Sequence, residues 1–483
     1  MNDVQGLRRG LREAADALDT AQSRPDRPPV FTYVPPSHAR ALDPDATLVE
    51  GIRGSGKTFW CAQLASPKHR EFVQQAFPEV RLAPQLRIAR GFGIGLTTTE
   101  APSAEVLAEL VQAHRPRSIW RAVLAFHAGF GGDFEQLGRW HDRVQWVQAH
   151  AEDFDALLED ADRAMETRGE TLLILFDALD RLADDWQQIN PLAKALLQVA
   201  LDARSTRRIR CKVFLRPDIL QEQHIIGFPD YSKLLAAKAS LQWRRADLYA
   251  LLFQCLANSQ AGGAPFRSLV TEANGLVMEK RSTGWILPSA LRSDEKLQES
   301  LFEWLAGKAM GSSTKRGKPY TWLVNHLQDG LNQVSPRSFF AALRTAAEGT
   351  NDEYALAMDY RGIQIGVQRA SQIRVQEINE DYSWVQLVME PLRGNLTVPC
   401  EAKEFDHLWR VNRTLETLKD ALKSDIAAVK LSPQNFSLGS NGVLLDLESL
   451  GLVQRMENHR IQMPDVYRLA FGLGRRGGVK PLK

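Results

Sequence analysis

One octapeptide limits the architectures open to this chain more than any other feature: Gly51-Ile52-Arg53-Gly54-Ser55-Gly56-Lys57-Thr58, a complete G-x-x-x-x-G-K-[ST] loop. Ala46-Thr47-Leu48-Val49-Glu50 before it reads as a short strand, and Lys57 to Leu64 after it reads as the first turns of a helix. Strand, glycine-rich loop and helix in that order open a parallel α/β sheet. The glycines let backbone N–H groups close around a polyphosphate, and the helix N-terminus adds the positive end of its dipole. Lys57 reaches the β- and γ-phosphates, and the Thr58 hydroxyl ligates Mg²⁺. Gly51, Arg53, Gly54, Ser55, Gly56, Lys57 and Thr58 are therefore the expected nucleotide contacts, and the loop predicts binding of a nucleoside triphosphate.

At 483 residues the chain is long enough for two to four domains with sizeable cores. Charged residues make up 24% and hydrophobic ones 44%, with a net charge of +2, which predicts neither a nucleic-acid sponge nor an acidic solvating tail. Four dispersed cysteines (Cys61, Cys211, Cys255, Cys400), with no C-x-x-C spacing, fit neither a disulfide framework nor a zinc site. Their dispersal, an N-terminus without an apolar core and the absence of a bilayer-length apolar run point to a cytoplasmic protein with no membrane contact.

Val4, Leu7, Leu11, Ala15 and Leu18 recur at helical spacing, so residues 1–25 read as an amphipathic helix and its proline-rich exit. Residues 26–245 alternate strands and helices. After the loop strand, strands are predicted at Leu86–Ile88, Thr171–Phe176, Cys211–Leu215 and Ala239–Trp243, with helices near 104–113, 117–128, 145–167 and 188–203. Gly91-Phe92-Gly93-Ile94-Gly95 lacks dinucleotide-loop spacing and reads as a turn after a strand. Residues 246–350 are dominated by helical patterns and contain a basic loop, Gly311 to Lys318; 351–380 read as a linker helix. In 381–483, two short strands around Glu457-Asn458-His459 follow helices, the pattern of a winged helix, and a basic tail (Arg475, Arg476, Lys480, Lys483) ends the chain.

Hydrolysis needs a metal anchor and a water-activating group besides the loop. Thr171-Leu172-Leu173-Ile174-Leu175-Phe176-Asp177 is a buried strand ending in a carboxylate that can hold the Mg²⁺ shell. Asp180, three residues on, is placed either to orient the attacking water or to cap a helix before Arg181. Arg216 follows the next strand, at the edge where α/β sheets bind ligands. Arg337 projects from the first turn of an apolar helix, with Ser335 as its expected cap and Pro336 at its first position. One arginine on the core and one on a following helical segment would couple the γ-phosphate to closure; either is alternatively a surface ion-pair residue.

Asp177-Ala178-Leu179-Asp180-Arg181 resembles the D-x-L-D-[RE] second motif of STAND and KAP-type P-loop ATPases, relatives of the AAA+ enzymes within the ASCE division. Leu215-Arg216-Pro217 is similar to the sensor-one strand end of that group, and Pro336-Arg337 to its sensor-two motif. The resemblance implies a P-loop core, an α-helical lid and a C-terminal winged helix, with ATP and Mg²⁺ as cofactors. It implies Lys57, Asp180, Arg216 and Arg337 as catalytic residues, and Thr58 and Asp177 as metal ligands. Ala178 stands where AAA+ enzymes carry an acid, which moves weight to Asp180 and implies slow or partner-stimulated turnover. A trans arginine finger would lie near Arg204, Arg207 or Arg208. No N-K-x-D guanine motif appears, so ATP is expected over GTP.

Two functions fit. The first is an ATP-binding and hydrolysing switch that controls assembly of a homo-oligomer or engagement of a separate effector, which the resemblance associates with prokaryotic signalling or anti-phage defence. The second is an initiator- or loader-type AAA+ ATPase with its winged helix on DNA. The helix before the wing, Asn441 to Gly451, is expected to expose Asp446 and Glu448 and no cation, so base readout is not expected from it. Arg455, His459, Arg460 and the basic tail are the expected source of any non-specific DNA contact.

Overall fold

The computed structural model describes residues 3–19, 28–83, 85–182, 186–221, 227–281, 284–424, 431–476 and 479–481. They form two compact units: Val34–Gln242, and Met1–Tyr33 together with Trp243–Lys483.

The first unit is built on a five-stranded sheet of β1 (Leu48–Glu50), β2 (Leu86–Phe92), β3 (Thr171–Phe176), β4 (Ile209–Leu215) and β5 (Ala239–Ser240). All pairs are parallel, in the order β2-β3-β4-β1-β5. β3 is buried at every position and β4 at nearly every one, the signature of central strands covered on both faces. Lys212 is the exception in composition: its ammonium is fully buried in β4 and donates to the carbonyls of Asp43 (2.8 Å) and Ala46 (2.6 Å), tying down the chain as it enters β1. Helix α1 (Lys57–Ala65) packs against β2 and β4. Pro116–Ala128 packs on β2 and β3 and on Trp186–Asp202, where the buried Trp120 indole donates to the Leu192 carbonyl at 2.8 Å.

Two local expectations change. Gly91 lies inside β2, at a register shift, because a Cβ there would sit 2.3 Å from the Phe176 ring; the turn begins at Gly93. The helix expected over 145–167 is two, Trp140–Ala149 and Ala151–Arg168, separated by His150 in a non-helical conformation.

In the second unit the N-terminal helix Val4–Asp19 packs against α3 (Pro336–Gly349), which follows α2 (Pro319–Leu327). Arg8 anchors that helix: its buried guanidinium donates to the carbonyls of Tyr354 (2.9 Å), Leu356 (2.9 Å) and Ala357 (3.2 Å). α3 crosses α4 (Tyr360–Asp381) at backbone distance, since a Cβ on Gly366 would fall 2.2 Å from the Ala342 carbonyl oxygen. Beyond α4 short helices and strands follow. α5 (Ser440–Ser449) leads into an antiparallel hairpin, which follows the short strand β6 (Thr397–Val398) in the chain and consists of β7 (Gln454–Arg455) and β8 (Ile461–Gln462). Ile461 also forms an isolated antiparallel bridge with Cys400. His459 turns the wing at φ 62°. α6 (Asp465–Phe471) packs on α4, and β9 (Gly474–Arg475) pairs in parallel with β6. The segment expected as a basic tail thus begins as a strand.

Asp446 corrects a second expectation. It is buried at 4% exposure and accepts from the Asn435 backbone N–H (3.0 Å) and side-chain amide (2.7 Å), so it fastens the preceding loop to α5. The outward residues of α5 are Asn441, Leu445 and Ser449, with Glu448 at the margin and no cation.

Candidate functional site

The parallel register brings the phosphate-loop residues, Asp177 and Arg216 to one sheet edge. Glu50 pairs with Leu215 and Phe176 with Val213, so the carboxyl ends of β1, β3 and β4 finish together, with β4 between the loop strand and the acid strand. That edge is where parallel α/β sheets bind ligands.

The loop is shaped by its glycines. Gly54 (φ 77°) and Gly56 (φ 108°) adopt the left-handed conformation, and Gly56 caps α1. At Gly51 the demand is space, since a Cβ would meet Ser55 Oγ at 2.2 Å. Lys57 opens α1 and folds its ammonium back over the loop, donating to the Gly51 (2.7 Å) and Ile52 (3.1 Å) carbonyls. Thr58 is in the same first turn, and Arg53 and Ser55 lie within the loop, Ser55 buried. A backbone that only glycine adopts, ending on a helix N-terminus with a lysine and a threonine, fits a nucleoside polyphosphate.

Asp177 ends β3 at 2% exposure, its N–H donating to the Phe92 carbonyl at 3.0 Å. Its closeness to α1 shows in Cys61, one turn beyond Thr58 on the same face: burial and then the Asp177 charge push that thiol well above its ordinary range, while Arg90 opposes them. Thr58 and Asp177 carry oxygen donors of the kind that a magnesium ion takes. Ala178 follows at φ 56°, a left-handed conformation that costs an alanine about 1 kcal/mol or more. Asp180 falls in the single turn Leu179–Arg181; its side chain lies outside the described residues. Ala178 and Arg181 line a recess of about 280 Å³ with Gly93, Ile94 and Gly95.

Both candidate sensor arginines are held by carboxylates. Arg216, 10% exposed, grips Asp218 with two nitrogens (3.1 and 2.5 Å). Arg337, in the second unit, pairs with Glu377 of α4. Pro336 is the first residue of α3 as expected, but Ser335 makes no side-chain cap, and its buried hydroxyl has no hydrogen-bond partner among the described residues. Of the finger candidates, Arg207 pairs with Glu166 at 2.9 Å, the Arg208 backbone N–H donates to Asp162, and Arg204 is exposed.

Sequence reasoning missed the braces behind the loop. Glu50 takes Lys238 (2.7 Å) and Ser240 (2.5 Å), which locks the strand end to β5. His38 is fully buried, with Nδ1 accepting from the Trp60 indole (3.1 Å) and Nε2 donating to the Gln242 carbonyl (3.1 Å). Trp60 at one turn from Lys57 was the available signal.

Fold and loop together define a class: this is a P-loop α/β core joined to a mainly helical unit. No family model and no curated protein matches the chain. Among solved structures it is similar to the Aeropyrum pernix ORC2 protein (ADPNP-ADP complexes), at 14% identity and a TM-score of 0.30, over 90% of this chain and 93% of that one. It is also similar to the Aeropyrum pernix ORC1 protein in complex with DNA, at 12% identity and a TM-score of 0.32, over 98% and 91%. Among the described residues no helix is long and apolar enough to cross a membrane.

Proposed function

We propose that the chain is an AAA+-related P-loop ATPase that works as a nucleotide-dependent switch, with ATP–Mg²⁺ on Gly51–Thr58 and Asp177. The observation that carries this is the glycine-shaped loop on the α1 N-terminus, in register with a buried carboxylate two strands away. Lys57 would leave its own loop carbonyls for the β- and γ-phosphates, Thr58 and Asp177 would hold Mg²⁺, and Asp180 would orient the attacking water. Arg216 would contact the γ-phosphate, and the motif resemblance alone assigns Arg337 a sensor role. In this scheme 26–245 is the ATPase core, 246–350 the lid, 351–380 the linker helix and 381–483 the winged-helix module. STAND-type signalling or anti-phage defence through an oligomer or separate effector in the cytoplasm follows from the motif resemblance alone. The second reading, a DNA-engaged initiator or loader, is favoured by one observation: a short antiparallel hairpin with exposed Arg455 and His459.

ATP binding and turnover test the first reading. Lys57→Ala should lower the hydrolysis rate by roughly 10²–10³, as for loss of one preorganised donor. Asp177→Asn should weaken Mg²⁺-dependent binding, whereas Asp180→Asn should leave binding intact and slow turnover. Wild-type binding and turnover in Lys57→Ala would end the assignment.

A further inference from the structure

Asp465 opens α6 with its side chain 2% exposed, and its two oxygens are treated unequally. Oδ1 accepts from the Arg468 guanidinium at 2.6 Å and lies 3.3 Å from an Arg475 nitrogen. Oδ2 has no hydrogen-bond partner among the described residues and faces His326 Nε2 at 3.4 Å. The His326 ring stacks on Trp322, and its Nδ1 is 2.8 Å from the Trp322 backbone carbonyl. A carbonyl only accepts, so Nδ1 carries the proton and the neutral ring turns an Nε2 lone pair toward a carboxylate oxygen. Burial lowers this imidazole below its ordinary range, with Asp465 and the Trp322 carbonyl opposing and Arg475 and Arg468 assisting. The neutral ring is therefore the form present near pH 7. Two acceptors face each other, and leaving the buried one unpaired is costly unless a donor is supplied from outside.

The pair lies on the wall of a recess of about 430 Å³ between the end of α2, the hairpin β7–β8, the start of α6 and β9. That volume suits a small molecule. Gln462 donates to Gln454 across the hairpin at 2.7 Å, which leaves Gln454 an amide donor and Gln462 a carbonyl acceptor. Arg475 and Arg476 line the recess as well, and Arg476 is exposed and makes no ion pair among the described residues. We infer that the recess binds a mononucleotide with an amino-bearing base. An amino group carries two N–H donors, one for Nε2 and one for Oδ2, which a hydroxyl or a ring N–H does not. An ammonium would add a third cation to a carboxylate that Arg468 and Arg475 already compensate. The two glutamines match the donor and acceptor edge of a base, and Arg476 takes the phosphate. Every lining residue belongs to the second unit, so this site is separate from Gly51–Thr58 and does not rest on nucleotide binding there.

The test is calorimetric titration of the full chain with AMP, purine riboside 5′-monophosphate and inorganic phosphate, in wild type, Lys57→Ala, His326→Phe and Arg476→Ala. AMP should still bind in Lys57→Ala. It should bind about ten-fold or more tighter than the purine riboside nucleotide, which lacks only the amino group and strands both acceptors. His326→Phe keeps a ring on Trp322 but removes one acceptor, so the preference for AMP over that analogue should shrink. Arg476→Ala alters an exposed side chain and keeps the test alive if His326→Phe does not fold. It should weaken AMP and the analogue alike, by about ten-fold. Equal affinity for AMP and the analogue would overturn the inference. So would loss of AMP binding in Lys57→Ala, which would put the nucleotide on the phosphate loop. Inorganic phosphate binding as tightly as AMP would leave an anion site only and overturn it too. A single-stranded oligonucleotide that binds where AMP at about 1 mM does not would hand the recess to nucleic acid and sink the mononucleotide reading.

Discussion

His38 shows how a residue remote from the loop governs it. Full burial drives its imidazole down to about 3, with the Gln242 carbonyl opposing. The Trp60 indole donating into Nδ1 requires the neutral ring, and Trp60 shares α1 with Lys57 and Thr58. The folded value is depressed, so the stabilisation is complete above the unfolded value near 6.5 and is lost as pH falls toward 3: the unfolded chain binds a proton that the folded one refuses. His127, pushed down to about 4 mainly by burial and then by Arg87, adds to the same slope. Urea midpoints measured between pH 7 and 4.5 should therefore fall on acidification. His38→Gln, which preserves one acceptor and one donor, should flatten the dependence below pH 6 by about 1.4 kcal/mol per pH unit, the equivalent of one proton. An unchanged slope would mean that His38 is not held neutral in the fold.

Among elements, α5 separates what periodicity reveals from what it conceals. Its extent and the hairpin after it were legible from apolar spacing and a polar turn, as was the sheet from β-rich runs bounded by loops. The side of α5 on which Asp446 lies was misjudged because a carboxylate was counted as solvent-seeking. Asp446 is buried, and although burial raises its carboxyl, Asn435 donates to it from backbone and side chain. A Cβ on Gly442 would fall 1.8 Å from the Asn435 carbonyl oxygen, so the loop lies directly on the helix. Asp446→Ala should cost on the order of 1–3 kcal/mol by stranding the Asn435 donors. Thermal melting of the chain would report it, and a wild-type midpoint would return Asp446 to the surface. At the carboxyl edge of the sheet the loop and Asp177 were readable because each ends or begins a local pattern. The grips on Arg216 and Arg337, the Glu50–Lys238 brace and the docking of Arg8 on residues 354–357 depend on contacts that no local spacing encodes.

For the whole chain, a net charge of +2 leaves DNA contact to the arrangement of individual cations, and the structure commits three of the expected ones. Arg455 lies 3.7 Å from Glu448, Arg460 donates to the Pro399 carbonyl at 2.6 Å, and Arg475 lies 3.3 Å from the buried Asp465. Arg476 and Lys480 are exposed beyond β9; Lys483 lies outside the described residues. Each phosphate neutralised adds about −0.9 to the slope of log affinity against log salt. With two or three cations at work, the slope for duplex DNA should be no steeper than about −3. Binding should be sequence-indifferent and lost in Arg476→Ala/Lys480→Ala, whereas Arg455→Ala, which removes a cation already facing Glu448, should matter less. Gel shifts across a salt series decide the matter. A slope several-fold steeper, sequence preference, or dependence on the outward face Asn441–Leu445–Ser449 would make the winged helix a DNA reader and the chain a loader before it is a switch. The shallow, indifferent outcome would leave the nucleotide-controlled contact with another protein as the output of the molecule.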